Sequence, residues 1–247
     1  MLQKYFRNRT TATISIICGL VLSLFLANFG ISALIYVLKL TGVDFGHLNG
    51  NIFSSVYALL MYAFAIYLFM LWSKFMSYGL TKSDIGLRRL PRWSDIGVAL
   101  LAFISYMILA NGFISVVHAI FPNINLNETQ NIGFSNLSSS LEYYLAFITL
   151  VILAPLAEEL LFRGYVLGSL RKYFRPWSSA LIVSIIFALA HGSISVGLDV
   201  FVLSLVLSAL KFSTGSLWAG ILVHMLKNLI AFYLLFINPV FLSTLGG

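Results

Sequence analysis

From Ala12 to Leu38 the chain carries no charged residue, and a second uncharged run extends from Ile52 to Ser73. A bilayer core needs about 20 consecutive apolar residues from a spanning helix. A chain with several such runs must fold as helices that satisfy their own backbone hydrogen bonds inside lipid. Composition agrees: 60% of the residues are hydrophobic and 9% are charged. The reading is an all-α, polytopic transmembrane helix bundle, taken as one membrane domain over 1–247. Seven spanning segments are expected, at about 12–38, 52–73, 95–120, 142–162, 178–191, 199–212 and 217–237. The fifth and sixth are short, and an eighth segment is left open.

The net charge of +7 fits loops on one side of a membrane better than a nucleic-acid surface, and no nucleic-acid partner is expected. Basic residues gather at the N-terminus (Lys4, Arg7, Arg9), after the second segment (Lys74, Lys82, Arg88, Arg89, Arg92), after the fourth (Arg171, Lys172, Arg175) and at Lys211. The connections 41–51, 121–141 and 192–198 hold no Lys or Arg. This alternation predicts a cytoplasmic N-terminus and an external C-terminus, with Lys39 snorkelling. The basic start and the long first run read as an uncleaved spanning helix, since a signal core is shorter. Asn127-Glu128-Thr129 and Asn136-Leu137-Ser138 match a glycosylation pattern that matters only in a eukaryotic host. Cys18 is the single cysteine, which excludes an intrachain disulfide and a cysteine-based zinc cluster.

Against this apolar background the polar residues stand out. Ionisable groups inside a bilayer are costly and are kept mainly for function. Glu158 and Glu159 end an apolar run and are followed by Arg163. Glu159 and Arg163 are four apart, share a helix face and can neutralise each other. Glu158 points about 100° away and is left as the unpaired acid, a candidate general base. A turn is expected at Phe174-Arg175-Pro176-Trp177, with 163–174 continuing the fourth helix and Gly164 and Gly168 allowing close packing. Glu158 then lies about 24 Å before the turn and His191 about 21 Å after it, so an antiparallel pair brings them to one depth. His224 and Asn228 share a face of the last segment and offer donors for an oxyanion. Phe187 precedes His191 by four and can wall the same face.

Each feature also has a bland reading. His191 can be an interfacial residue, His224 with Asn228 interhelical glue, and Lys227 a structural pair or the lining of a wet cavity. His47 reads as a loop residue and His118 as an interfacial one. What raises the functional reading is three polar sites, in order, inside apolar helices.

That ordered set resembles the CPBP family of intramembrane proteases, also called the Abi or CAAX-protease-and-bacteriocin-processing family, which includes the type II CAAX prenyl endopeptidases. Its Glu-Glu-x-x-x-Arg motif is matched by Glu158, Glu159 and Arg163, its Phe-x-x-x-His by Phe187 and His191, and its His-x-x-x-Asn by His224 and Asn228. The resemblance spans about 158–228 and sets a catalytic core at about 142–237. It implies an endopeptidase in which Glu158 and His191 activate a water, His224 and Asn228 stabilise the oxyanion, and Glu159 with Arg163 supports the site. The family has been described both as metalloproteases and as metal-independent glutamate proteases. Glu158, His191 and His224 could supply a His₂Glu zinc set, although the His-Glu-x-x-His helix is absent; without metal, Glu158 can act as base and the Asn228 and His224 donors can replace the Lewis acid. The expected substrate is a peptide or membrane-protein terminus in the cell membrane of a prokaryote. The alternatives are a catalytically silent scaffold for a sensor kinase or other membrane protein, and a solute carrier, which would more often show an internal repeat.

Overall fold

The computed structural model describes residues 8–45, 48–126 and 132–239. Lys4, Arg7, His47 and the Asn127-Glu128-Thr129 sequon lie outside the described residues. Among the described residues every regular element is helical: α1 (Arg9–Leu40), α2 (Gly50–Phe75), the short α3 (Lys82–Ile85), α4 (Trp93–Ile120), α5 (Ser140–Leu170), α6 (Pro176–Leu189), α7 (Ile194–Thr214) and α8 (Trp218–Ile237). Six of these are long and apolar enough to cross a membrane, and α6 is a shorter apolar helix of 14 residues. The seven expected segments are all present. Two boundaries differ materially. The fourth helix ends at Leu170 and turns through 171–174, so the expected straight continuation to Phe174 is shorter by one turn. The sixth begins at Ile194 rather than 199, since Ser193 caps it and Asp199 finds partners inside the bundle.

Side-chain caps set the ends. Asn8 accepts from Thr10 N–H at 3.1 Å and Asn49 from Asn51 N–H at 2.9 Å, each serving an orphan donor of a first turn. At the start of α5, the buried Glu142 accepts from Asn51 Nδ2 (2.6 Å), Ser138 Oγ (2.9 Å) and Ser139 Oγ (2.9 Å). These bonds tie the 132–139 connection to α2. Glycines end α3 and α7: Gly86 at φ 92° and Gly215 at φ 64° adopt the left-handed geometry that closes a helix.

α1 pairs with α2, α6 with α7, and α8 packs on both α4 and α7. Two apolar clusters result. Ile16, Leu20, Phe69, Leu161, Phe162 and Phe187 join α1, α2, α5 and α6. Ala99, Tyr106, Leu203, Leu207, Ala219 and Val223 join α4, α7 and α8. α5 lies between the clusters and carries the paired glutamates. Large apolar side chains such as Phe25, Phe29, Leu101 and Ile108 face outward, as a lipid-facing surface requires and a water-facing one does not tolerate in quantity.

α5 is not a uniform helix. It widens into π-helical turns at Ile148–Leu153 and Glu159–Val166, on either side of the α-helical Ala154–Glu158. Such turns shift the register of everything that follows them and recur at functional sites.

Candidate active site

The second widened turn presents Glu159 and Arg163 inward. Both are fully buried, and Arg163 Nη1 donates to Glu159 Oε1 at 2.9 Å. The guanidinium lies 4.3 Å over the Phe187 ring, a cation–π contact that meets the charge where Nε and Nη2 have no hydrogen-bond partner. The arrangement fits the expected supporting pair, with Phe187 as its second wall.

Phe187 is the hub of the site. Its ring packs edge-on against Phe162 (4.9 Å between centroids), His191 (4.8 Å) and His224 (6.0 Å). One phenyl ring therefore sets the place of an arginine and two imidazoles.

The two histidines are held alike. His191 Nδ1 is 2.8 Å from Phe187 O, and His224 Nδ1 is 3.0 Å from Glu159 Oε1. A carbonyl and a carboxylate only accept, so each Nδ1 carries a hydrogen and each Nε2 is free for chemistry. His224 Nε2 faces Glu158 Oε2 across 3.8 Å. Glu159 thus serves Arg163 and His224 with the same oxygen, while its Oε2 lies near the Cα of Gly220, where a methyl group would approach it to 3.5 Å.

Glu158 differs from its neighbour. It is partly exposed, at 17%, and accepts from the Tyr62 hydroxyl at 2.7 Å through Oε1. Its nearest imidazole in an ion-pair geometry is His224 rather than His191. His191 still lies close enough to feel the charges of Glu158 and Lys227. His191 and His224 both pack on Phe187, and it is His224 that lies between the two glutamates. Asn228, one turn beyond His224, donates to Leu150 O at 2.9 Å.

Among the described residues, no three His, Cys, Asp or Glu side chains converge closely enough to hold a metal ion. Glu158, His191 and His224 as placed do not form a zinc triad, and no step below passes through a metal.

Three participants, Tyr62, Tyr106 and Asp199, carry no signal in the sequence. Tyr62 comes from α2, outside any motif, among 12 tyrosines that offer no local signal. Asp199 accepts from Tyr106 OH at 2.5 Å and pairs with Lys227 at 3.5 Å. Lys227, one turn from His224 on α8, therefore forms an ion pair with α7, one of its two expected readings. The close packing expected at Gly164 and Gly168 is against α3: a Cβ at Gly168 would stand 3.1 Å from Asp84 O. Lys211 clasps the same place, donating to Asp84 O (2.5 Å) and to Arg163 O.

The fold and this buried acid–imidazole cluster define a multi-pass helical membrane protein with a polar site in its interior. Residues 140–230 match the family model described as type II CAAX prenyl endopeptidase, Rce1-like, so the resemblance carried by the three motifs is shown over that segment. Two curated relatives are similar. An uncharacterized 24.3 kDa protein of Escherichia coli is 37% identical over 86 residues, 33% of this chain and 40% of that protein. The UPF0177 protein YxdF of Lactococcus lactis subsp. lactis is 31% identical over 106 residues, 43% of this chain and 58% of that protein. The match thus spans about half the length of these relatives. No solved structure matches.

Proposed function

We propose that this protein is an intramembrane endopeptidase in which Glu158 and His191 activate a water and His224 stabilises the oxyanion. The observation that carries the reading is the approach of His224 Nε2 to Glu158 Oε2 at 3.8 Å. That distance is too long for a direct hydrogen bond and suits one water in contact with both groups. Glu158, oriented by Tyr62, takes a proton from the water. The oxygen attacks the peptide carbonyl, and the proton then passes from Glu158 to the leaving amine. His191 Nε2 is a second acceptor for the water. His224 stabilises the tetrahedral oxyanion in its imidazolium form, held between the two carboxylates, because its Nε2 must then also carry a hydrogen. The match over residues 140–230 to a prenyl endopeptidase family supports this reaction class.

The substrate is a short peptide or a membrane-protein terminus. The two similar proteins are bacterial, which supports a bacterial cell membrane. The basic loops support a cytoplasmic N-terminus, so the connections 76–92 and 171–175 face the cytoplasm. Substrate then enters laterally or from that side.

Comparative peptidomics of cells carrying wild type or Glu158→Gln tests the reading. A peptide product present with wild type and lost with the variant identifies the substrate. Unchanged peptides, together with full complementation of a deletion by Glu158→Gln, would replace the protease with a membrane scaffold.

A further inference from the structure

The first π-helical turn of α5 has an identifiable cost. In the widened register each N–H bonds the carbonyl five residues back, and Ala154 N–H accordingly donates to Thr149 O. The next donor in that register belongs to residue 155 and would serve Leu150 O. Residue 155 is proline, which has no N–H. Leu150 O is therefore left without its helical partner in the middle of an apolar bundle, where an unpaired carbonyl is expensive. Asn228 Nδ2 fills the place at 2.9 Å.

The same helix, α8, makes a second rung to α5. His224 donates to Glu159, and Asn228 lies four residues on, on the same face. The two rungs bracket the α-helical Ala154–Glu158 that carries the acid. Fixing Leu150 and Glu159 against one face of α8 sets the height and rotation at which Glu158 meets His224.

From this geometry we propose that Asn228 is a positioning residue, which supplies to Leu150 O the hydrogen bond that Pro155 cannot and thereby holds Glu158 in register with His224. This assigns its carboxamide a partner in the resting enzyme other than substrate. It rests on the protease reading only where activity is the readout.

A double-mutant cycle tests it. Pro155→Ala restores an N–H, so Leu150 O regains a helical donor whether the turn stays wide or relaxes to the α register. Asn228→Leu removes the amide with little change in shape. The full-length protein in detergent micelles is measured for thermal midpoint and for hydrolysis of an internally quenched, randomised decapeptide mixture, per amount of folded protein. In the wild-type background Asn228→Leu should lower the midpoint by about 4 °C and the rate by about tenfold. In the Pro155→Ala background both losses should shrink to a small fraction. Pro155→Ser serves the same purpose if the alanine variant folds poorly. Equal midpoint losses in the two backgrounds would overturn the link to Leu150. A rate lost equally in both, with the midpoint rescued, would overturn the positioning role and make Asn228 a direct contact of the reacting peptide. If wild type cleaves no member of the mixture, the failure lies with the reaction class, and the midpoint cycle still decides the Asn228–Pro155 link.

Discussion

Helix α8 faces two polar clusters, and they are built on different terms. In the first, His224, Glu159 and Arg163 are almost entirely excluded from solvent, share a single carboxylate oxygen and lean on Phe187. In the second, Lys227 and Asp199 are about a quarter exposed, 3.5 Å apart, with Tyr106 as the third member. Both place opposite charges between helices. Only the first adds a further acid, Glu158, that faces an imidazole without bonding it. The difference teaches that charge inside this bundle is not itself the mark of a site. On the proposed function, the mark is a neutralised, rigid frame holding one group that stays open to react.

Four substitutions break or sharpen that contrast. The largest effect belongs to Glu158→Gln. It should remove hydrolysis by a factor of about 10²–10⁴, the range for a general base, while the protein purifies with a wild-type thermal midpoint. Arg163→Ala acts on the frame. Removing one member of a buried pair strands the other charge and costs about 3–5 kcal/mol, so folded yield and midpoint in detergent should fall far more than for Glu158→Gln. Equal stability of those two variants would contradict the supporting role of Arg163.

Tyr62→Phe comes next. It deletes one hydrogen bond to Glu158, worth about 1–3 kcal/mol when the partner is charged. The expected result is a roughly tenfold slower rate with a midpoint lowered by only about 2–4 °C, far less than for Arg163→Ala, read on the same peptide mixture. The smallest effect is expected for Asp199→Asn. It keeps a partner for Tyr106 and loosens an incompletely buried pair, so the loss should be about 1 kcal/mol in stability and little in rate. A rate loss from Asp199→Asn as large as that from Tyr62→Phe would erase the distinction between the clusters.

The contrast also marks how far the sequence could be read. The spanning helices are legible because length and apolarity are local properties, and the order of acid, imidazole and amide along them is legible because charge is rare. Arg163 lies where an apolar run ends, yet it is wholly buried; its pairing with Glu159 was readable from the four-residue spacing. The sixth segment is expected from about residue 199, whereas α7 starts five residues earlier, and Tyr106 and Lys227 satisfy the Asp199 carboxylate within the bundle. Partners of that kind come from distant parts of the chain and leave no periodic trace. Tyr62 and Glu158 are 96 residues apart, and nothing near Tyr62 separates it from the other tyrosines. The widened turns are likewise out of reach, although Pro155, placed five residues after a carbonyl that needs a donor, is a local sign of the first of them.

The central claim is that Glu158 is the base of a peptide-hydrolysing site whose fold does not depend on it. Its most direct test is hydrolysis of the internally quenched decapeptide mixture by purified wild-type and Glu158→Gln proteins in liposomes, matched for folded protein by thermal midpoint. The account expects cleavage by wild type and a loss of at least about 10²-fold in the variant at an equal midpoint. Cleavage by Glu158→Gln at the wild-type rate would contradict it.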